Sequence, residues 1–347
     1  MRYFITGHTG FKGSWLTLWL TSQGHEVCGL SLDPEPGSLF ERAEVSEVCA
    51  VDQRGDIRDP ETVKAAVVKA EPEIVVHLAA QPLVLDSYKR PRWTMETNVM
   101  GTLNVLEAVG MQENVKGLLI VTTDKVYRNL NQQEGYLETD PLGGNDPYSA
   151  SKAMADILTH SWATSFPGTR TAVARAGNVI GGGDVSPDRL LPDIVANLQA
   201  GTNPVLRHPE AVRPWQHVLD CLNGYRTLID SFTSENEDFD FRGGWNFGPD
   251  VDSFVSVGDI TTAAMKNWGS NGTWIADSTV KPHEEQLLSL DSTRANVDLG
   301  WRNLLGVDQA LARTLSWHRE TDSGVSARGV TLRQIEEFQQ SKYPEKV

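Results

Sequence analysis

Two side chains near the middle of the chain have the types and the spacing of a proton-transfer pair. Tyr148 and Lys152 lie four residues apart in the stretch Asp-Pro-Tyr-Ser-Ala-Ser-Lys, so on a helix they would share one face. An ammonium group beside a phenol favours the phenolate and makes the tyrosine a usable base near neutral pH. The pair therefore predicts chemistry in which a hydroxyl group loses its proton.

A glycine-rich loop near the start of the chain gives this pair a context. Gly7, Gly10 and Gly13 follow the apolar run Arg2–Thr6 and lead into Phe11–Ser22, where apolar residues recur at helical spacing. In a strand–turn–helix unit, the first glycine would make the turn, the second would let the backbone approach a pyrophosphate, and the third would let the helix pack on the sheet. The loop predicts a dinucleotide site, and oxidation of a hydroxyl by NAD suits the tyrosine and the lysine.

The choice between NAD and NADP depends on Asp33. This residue follows the second predicted strand, about twenty residues past the loop, where a carboxylate can bond an adenosine ribose 2′-hydroxyl and repel a 2′-phosphate. The position therefore favours NAD. Asp33-Pro34 also fits the start of a turn, and that alternative stays open.

Short apolar runs alternate with helical stretches along the first half of the chain. Strands are predicted near 26–32, 73–78, 117–122 and 171–174, and helices near 60–70, 94–109, 148–166 and 189–200. This alternation predicts an α/β fold with a doubly wound parallel sheet. Because the regularity fades after Ala176, we expect a Rossmann domain over 1–176, to which segments near 213–248 return, and a smaller C-terminal substrate-binding lobe over 177–347.

A third group of reactive residues follows the strand predicted near 117–122. Thr123, Asp124 and Lys125 bring a hydroxyl, a carboxylate and an amine to the carboxyl end of a parallel strand, where ligands bind in such sheets. Oxidation of an alcohol needs only a hydroxyl beside the tyrosine, so the added Asp and Lys indicate further proton transfers, as in a dehydratase. The alternative is a turn at the strand end with a surface salt bridge.

Composition and charge limit the classes of function. The chain has 347 residues, of which 39% are hydrophobic, and this is enough for a sizeable core. A net charge of -15 disfavours nucleic acid and anionic membranes as partners. Three widely spaced cysteines indicate neither a disulfide framework nor a thiolate zinc site, and no metal is expected. With no signal peptide and no apolar run of ~20 residues, we expect a cytoplasmic protein.

Several longer motifs extend over nearly the whole chain. They read Thr-Gly-His-Thr-Gly-Phe-Lys-Gly-Ser-Trp-Leu (6–16), Ala-Ala-Gln-Pro-Leu-Val (79–84), Thr-Thr-Asp-Lys-Val-Tyr (122–127), Leu-Gly-Gly-Asn-Asp-Pro-Tyr-Ser-Ala-Ser-Lys (142–152), Arg-Ala-Gly-Asn-Val-Ile-Gly-Gly-Gly-Asp (175–184) and Arg-Pro-Trp-Gln-His-Val (213–218). Together they resemble the CDP-glucose 4,6-dehydratase family, a branch of the extended short-chain dehydrogenase/reductases. Most sugar-nucleotide 4,6-dehydratases have Asp-Glu where this chain has Asp124-Lys125, and the Lys is a mark of the CDP-glucose branch.

The resemblance implies a mechanism. Tyr148, aided by Lys152 and Thr123, would take the C4 hydroxyl proton of CDP-D-glucose while C4 gives hydride to NAD. Lys125 would assist removal of the C5 proton, or only orient a water or Asp124, while a protonated Asp124 protonates the departing C6 hydroxyl; hydride then returns to C6. A sugar-nucleotide epimerase, which has no need of such an acid, is the main alternative. A 4,6-dehydratase for another nucleotide sugar is a second, and an NAD-binding protein without turnover is a third.

The patterns and the resemblance also predict the binding residues. Those expected at NAD are Gly7, Thr9, Gly10, Phe11, Lys12, Gly13, Asp33, Asp56, Ile57, Leu78, Ala79, Ala80, Gln81, Asn98, Thr122, Tyr148 and Lys152. Those expected at the nucleotide sugar are Asn178, Arg189, Arg207, Arg213 and His217. His77 is interpreted as a packed strand residue and is left out of the catalytic set.

Two further expectations come from the family pattern. Its members commonly form a homodimer or a dimer of dimers through the helices that contain Asn98 and Tyr148, and we expect the same here. The chain also departs from the pattern, with Leu85 where an Arg is usual and with an unusual segment at 129–135. Both departures bear on substrate affinity or identity.

Overall fold

Seven parallel strands form the central sheet of the protein. The computed structural model describes residues 1–130, 132, 134–234, 239–277 and 288–342. The strands in this part of the chain are β1 Arg2–Thr6, β2 Glu26–Ser31, β3 Val51–Arg54, β4 Ile74–His77, β5 Gly117–Val121, β6 Arg170–Arg175, β7 Asn178–Ile180, β8 Val205–Leu206, β9 Val212–His217, β10 Gly244–Asn246, β11 Phe254–Ser256 and β12 Ile275–Ala276. The central sheet has the order β10-β6-β5-β4-β1-β2-β3.

Helices cover both faces of this sheet, which is the doubly wound arrangement predicted from the sequence. They are α1 Phe11–Ser22, α2 Leu39–Arg42, α3 Pro60–Ala70, α4 Val84–Lys89, α5 Pro91–Met95, α6 Gly101–Gly110, α7 Pro147–Ser165, α8 Leu190–Ala200, α9 Val218–Phe232, α10 Val257–Trp268, α11 Thr293–Asp298, α12 Val307–Asp322 and α13 Ala327–Lys342. None of the helices within the described ranges combines the length and apolarity needed to cross a lipid bilayer.

The strand sequences explain why both faces are covered. Neighbouring residues of β1 point to opposite faces, so Ile5 joins one buried cluster with α1 and α9 and Phe4 joins another with α3 and α6. A strand buried on both faces needs a continuous apolar run rather than an alternating one. The run Gly-Leu-Leu-Ile-Val of β5, buried throughout, shows this pattern, and the predicted fold class is confirmed.

One predicted helix differs from the structure. The segment predicted as a single helix over 94–109 consists of α5, a π-helical turn over Glu96–Met100, and α6. The wider turn contains Asn98, which is 1% exposed and reaches two neighbouring segments described below. A π-turn inside a helix commonly marks a functional site, and apolar periodicity alone does not reveal it.

Two smaller sheets lie on the C-terminal side of the chain. One has the order β11-β9-β7, and the other pairs β12 with β8. A third buried cluster, which includes Ile194, Trp215 and Leu311, packs against the first of these sheets. In the central sheet β10 pairs with β6, so a late segment of the chain contributes its edge strand. The domain boundary near residue 176 stays a prediction.

Three buried histidines predict that the protein loses stability in mild acid. Burial lowers the pKa of His77 and of His217 to about 3, and that of His318 to about 4. A histidine in the unfolded chain has a pKa near 6.5. Below that pH the unfolded chain therefore binds protons that the folded chain does not bind. Each buried histidine then removes about 1.4 kcal/mol of stability per pH unit as the pH falls from ~6.5 toward its folded pKa.

Urea unfolding between pH 7 and pH 5 measures this effect. We expect His217→Gln to reduce the dependence of the unfolding free energy on pH by about one proton. His160→Gln is the control, because His160 is exposed, and it should leave the slope unchanged. An unaltered slope in the His217 variant would contradict the assignment of this residue as a buried neutral histidine.

Candidate active site

The glycine loop between β1 and α1 has the shape that a dinucleotide pyrophosphate needs. Gly7 has φ +80, and a Cβ atom there would lie 2.6 Å from the Ala79 nitrogen. At Gly13 a Cβ would lie 2.1 Å from the Gly7 oxygen, so α1 can pack this closely only on a glycine. A Cβ on Gly10 would meet only that same oxygen, at 3.3 Å, which leaves this backbone open to a ligand at the helix N-terminus. The loop fits NAD in the way the sequence predicts.

Residues after β2 and β3 lie where an adenosine would be expected. Thr9 donates from Oγ1 to the Leu32 carbonyl at 3.2 Å. The Asp33 carboxylate, 91% exposed, lies 3.4 Å from the Arg54 Nε atom, so it is accessible to a ribose. After β3, Asp56 pairs with Arg58. The adjacent Ile57 is buried, which places its side chain in the core rather than at the surface.

The end of β4 is held by a chain of buried hydrogen bonds. The His77 Nδ1 atom lies 2.7 Å from the Thr6 Oγ1 atom, and His77 Nε2 lies 3.1 Å from Thr102 Oγ1. The Ala79 amide also donates to Thr6 Oγ1, at 3.3 Å. His77 is therefore a structural residue, as interpreted from the sequence. Leu78, Ala79 and Ala80 follow it with partial exposure at the cofactor edge of the sheet.

Asn98 joins the loop after β4 to the helix of the tyrosine. Its Oδ1 atom accepts from the Gln81 amide at 2.8 Å, and its Nδ2 atom donates to the Ser151 hydroxyl at 2.8 Å. Ser151 in turn donates to the Tyr148 carbonyl at 2.7 Å. The amide of Asn98 is thus used within the protein and fixes the start of α7 against the cofactor side.

Helix α7 presents Tyr148 and Lys152 from its first turns. Asp146 caps the helix by accepting from the Ser149 amide at 2.9 Å. Lys152 is buried and donates from Nζ to the Val121 carbonyl at 2.8 Å. Burial, followed by repulsion from Lys12, lowers the pKa of Lys152 to about 8.

The pKa of Tyr148 differs from the expectation. Burial raises it to about 12, while a hydrogen bond with Thr123 and the charge of Arg189 act in the opposite direction. Desolvation thus outweighs the positive charge of Arg189 in this structure, and the role of Lys152 in favouring the phenolate stays a prediction. A ligand that brings positive charge to the tyrosine would act against this desolvation.

Thr123, Asp124 and Lys125 form a short turn directly after β5. The Thr123 hydroxyl donates to Asp124 Oδ1 at 2.8 Å, and Lys125 Nζ lies 3.4 Å from the same oxygen. Asp124 is 1% exposed, and its Oδ2 atom has no hydrogen-bond partner within the described part of the chain. That oxygen faces Gly177, where a Cβ would lie 2.8 Å away. A buried carboxyl oxygen without a partner is suited to proton exchange with a ligand.

One cavity of ≈ 420 Å³ collects the candidate catalytic and substrate-binding residues. Asn178, Arg189, Arg207 and Arg213 line it together with Thr122, Thr123, Asp124, Lys125 and Tyr148. Arg189 lies 3.4 Å from the Asp184 carboxylate, and Arg207 donates to the Asp188 carbonyl at 3.2 Å. Three guanidinium groups in one cavity suit a diphosphate, which they can bind with paired N–H donors.

His217 does not belong to this cavity. It is 0% exposed, is not among the described residues that line the cavity, and accepts from the Leu219 amide as the N-cap of α9. The predicted contact between His217 and the substrate is wrong, because the side chain points into the core beside Trp15. The neighbouring Trp215 and Arg213 do line the cavity.

A buried network behind the cavity was missed in the sequence. Arg175 at the end of β6 pairs with Asp156 of α7 at 2.7 Å, and Asp156 also accepts from the Thr122 hydroxyl at 3.1 Å. Arg175 further donates to the Tyr127 hydroxyl, which donates to Asn246 Oδ1. The network thus fixes both ends of the 122–127 segment. The sequence feature that could have revealed this network is an arginine in a strand that is otherwise largely apolar.

One wall of the cavity comes from α4 and the residue that caps it. Leu83, Val84, Leu85 and Tyr88 line the cavity, so the residue that departs from the family pattern faces the substrate space. Among the described residues, no group of three or more His, Cys, Asp or Glu side chains is placed to hold a metal ion.

Comparisons with known proteins agree with this geometry. The chain is 41% identical over 346 residues to CDP-glucose 4,6-dehydratase of Salmonella typhimurium, with 97% of this chain and 96% of that protein covered. It is 27% identical to dTDP-glucose 4,6-dehydratase of Xanthomonas campestris, with 91% and 92% covered. A solved dTDP-glucose 4,6-dehydratase from Streptomyces venezuelae, with NAD and TYD bound, superposes with a TM-score of 0.78 at 26% identity, covering 93% of this chain and 98% of that one.

The family assignment covers most of the sequence. The model of the GDP-mannose 4,6 dehydratase family matches residues 4–314, a span that includes the glycine loop, the Thr123 turn, the Tyr148 helix and the arginines of the cavity. The chain therefore belongs to the GDP-mannose 4,6 dehydratase family.

Proposed function

We propose that this protein catalyses the NAD-dependent dehydration of CDP-D-glucose to CDP-4-dehydro-6-deoxy-D-glucose. The observation that carries the proposal is the meeting of Tyr148, Thr123, Asp124 and Lys125 in one cavity that also contains three arginines. The first group supplies a base and an acid, and the arginines suit a diphosphate. The similarity to the CDP-glucose enzyme of Salmonella typhimurium supports CDP as the nucleotide.

NAD is part of the proposal. When bound, it would supply the hydride acceptor for the C4 carbon of the sugar and the hydride donor for C6. The glycine loop would hold its pyrophosphate at the N-terminus of α1, and Asp33 would bind the adenosine ribose. The part of the cofactor between the adenosine ribose and Tyr148 would lie against Leu78, Ala79 and Ala80. The solved relative from Streptomyces venezuelae contains NAD.

Tyr148 and Lys152 perform the first proton transfer in this account. The tyrosine accepts the proton of the C4 hydroxyl, and Thr123, which is hydrogen-bonded to it, makes a second contact to the same oxygen. Lys152 is held by the Val121 carbonyl and supplies a cation within the buried site. Because Tyr148 is nearly fully buried, bulk water is kept away from the oxidised carbon.

Asp124 and Lys125 perform the elimination. The new C4 ketone acidifies the C5 proton, which Lys125 accepts directly or through a water. A protonated Asp124 gives its proton to the departing C6 oxygen from Oδ2, the atom without a partner in the described structure. One C–H and one C–O bond break, a C5–C6 double bond forms, and one water leaves; when hydride returns to C6, Lys125 gives the proton back to C5 and the double bond is lost. Lys125 also lies 3.4 Å from Asp124 Oδ1 and so positions the acid.

Turnover of three nucleotide sugars tests the proposal. The purified protein is incubated with CDP-glucose, dTDP-glucose or GDP-mannose, and the product is followed by mass and by the absorbance of a 4-keto-6-deoxy sugar in base. We expect rapid loss of one water from CDP-glucose, with no net reduction of NAD. Faster loss from another of the three would overturn the CDP assignment, and loss from none would overturn the dehydratase.

A homodimer is the second part of the proposal. Met100 beside α6 and Met154 and Ile157 on α7 are 48%, 47% and 54% exposed, although these elements also pack on each other. Apolar side chains on adjacent helices that are this exposed suit a two-fold contact with a second copy. A dimer of dimers would need a further surface. The cytoplasmic location expected from the sequence stays a prediction.

A charged substitution on this face should break the dimer. We expect Met154→Glu combined with Ile157→Glu to convert a dimer to a monomer in sedimentation or light-scattering measurements, because carboxylates would be buried against the partner copy. Val297→Glu is the matched control on α11, where Val297 is 74% exposed. A double variant that stays dimeric would show that this face is not the interface.

A further inference from the structure

Helix α8 presents three polar residues to the cavity. Arg189 is its N-cap, Asp193 and Asn197 follow at intervals of four residues, and all three line the cavity. Residues at this spacing share one face of a helix. Arg189 marks the catalytic end, because its charge acts on the pKa of Tyr148. Since a helix rises 1.5 Å per residue, Asp193 and Asn197 lie about 6 Å and about 12 Å further along it.

Strand β8 lines the cavity beside the same stretch of α8. Pro204, Val205 and Leu206 give it an apolar surface, and Arg207 follows them. Arg207 lies near Asp193: desolvation raises the pKa of this carboxyl, Asp188 acts in the same direction, and the charge of Arg207 acts against both. An apolar surface beside a few charged groups suits a flat heterocycle with a polar edge.

The order of groups in a nucleotide sugar places the base at this end. This inference rests on the proposed function, in which the sugar lies at Tyr148 and the diphosphate at the arginines. The ribose and the base follow the diphosphate, so they extend past the arginines, away from the tyrosine. The stretch of α8 that contains Asp193 and Asn197 is therefore where we expect the edge of the base.

The Asp193 carboxylate is available to a ligand. Asp193 is exposed and lines the cavity, and within the described ranges no hydrogen bond or ion pair joins its carboxylate to another residue. Neighbouring acceptors are already used. Asn197 Oδ1 accepts from the Thr202 hydroxyl at 2.8 Å, and the Leu206 carbonyl accepts from the Asp277 amide at 2.8 Å.

We propose that Asp193 selects cytosine by accepting a hydrogen bond from its 4-amino group. Uracil and thymine carry a carbonyl oxygen at this position, and the lone pairs of that oxygen would face the carboxylate. The pairing of a carboxylate with the cytosine amino group discriminates between bases by about 10- to 100-fold. Asp193 is thus a specificity-determining residue, distant from the proton transfers of Tyr148 and Asp124.

A purely structural role for Asp193 is the competing interpretation. The residue lies in the first turn of α8, where a negative charge stabilises the positive end of the helix dipole. That role predicts a loss of thermal stability when the charge is removed. It predicts no change in the preference between two bases, because the helix end does not distinguish them.

Binding of CDP and UDP separates these interpretations, because the two nucleotides differ only in the base. Their dissociation constants are measured by calorimetry for the wild type, Asp193→Asn and Asp193→Leu. We expect the wild type to prefer CDP by about 10- to 100-fold. Both variants should lose most of this preference, the Asn variant because its amide can also donate to the uracil oxygen. A wild type without the preference, or variants that keep it, would overturn the inference.

Asp188→Asn is the matched control in the same cavity. The Asp188 carboxylate lies 3.8 Å from Arg207 Nη1, and its backbone has φ +59, a conformation that asparagine adopts readily. Any effect of this variant should reach the nucleotide through Arg207 and the diphosphate, so CDP and UDP should change equally. A loss of preference as large as in the Asp193 variants would overturn the assignment to Asp193.

Turnover of CDP-glucose and UDP-glucose distinguishes failure of this inference from failure of the proposed function. We expect Asp193→Asn to raise KM for CDP-glucose by about 10-fold or more and to change kcat little, since the base is remote from the reacting carbons. Dehydration of CDP-glucose with an unchanged preference in the variants would overturn the inference alone. If the wild type dehydrates neither sugar, the proposed function is overturned, while a CDP preference lost in the variants still supports Asp193.

Discussion

Asp124→Asn is expected to lower the rate of water loss from CDP-glucose by about 10²- to 10⁴-fold, the usual contribution of a general acid. The asparagine keeps the size of the side chain and can still contact Thr123 and Lys125. It has no acidic proton for the departing C6 oxygen. The rate of product formation, measured by mass at saturating substrate, checks this expectation.

The same variant should still oxidise the sugar at C4, because Tyr148, Thr123 and Lys152 are unchanged. The absorbance of reduced cofactor should therefore rise on addition of CDP-glucose and persist. Asp184→Asn is the matched control, since Asp184 is a second buried carboxylate of this cavity that holds Ser186 and Arg189. It should raise KM more than it lowers kcat. Undiminished water loss in the Asp124 variant would contradict its role as the acid.

Arg175→Met is expected to lower the free energy of unfolding by about 3–5 kcal/mol, the cost of leaving one member of a buried ion pair without its partner. The Asp156 side chain is 2% exposed, so it cannot be solvated when the guanidinium is lost. Tyr127 would lose a partner as well. Urea unfolding monitored by fluorescence measures the change.

A surface pair offers the comparison for this prediction. Arg333 and Glu320 lie 2.6 Å apart with side chains 46% and 35% exposed, and Arg333→Met should cost less than about 1 kcal/mol. Combining Arg175→Met with Asp156→Leu should recover part of the lost stability, because no buried charge then lacks a partner. A loss for Arg175→Met no larger than that for Arg333→Met would show that the network does not hold the 122–127 segment in place.

Much of the fold follows from local patterns in the sequence. The sequence predicts β1 and α1 at their observed bounds. The apolar run marks the strand, the apolar spacing marks the helix, and the glycines between them are each required by a different close contact. The catalytic turn and the start of α7 are also predictable. They lie at a strand end and at a capped helix, positions that the chain marks with Thr123, Asp124 and Asp146.

Long-range contacts account for what the sequence did not show. Arg175 and Asp156 are 19 residues apart on successive elements, and the pairing of β5 with β6 brings Thr122 to the same carboxylate. The prediction for His217 was wrong because β9 contributes residues both to the cavity lining and to the core. Trp215 lines the cavity, whereas His217 lies in the core. The pKa of Tyr148 depends on burial, which spacing on a helix does not reveal.

In the proposed reaction, hydride removed from C4 returns to C6 of the same sugar. CDP-glucose carrying deuterium at C4 tests this most directly, with the product analysed by NMR and mass spectrometry. We expect one deuterium in the C6 methyl group, loss of one water and no net reduction of NAD. Deuterium returned to C4 with no loss of water would contradict it and would identify the protein as an epimerase.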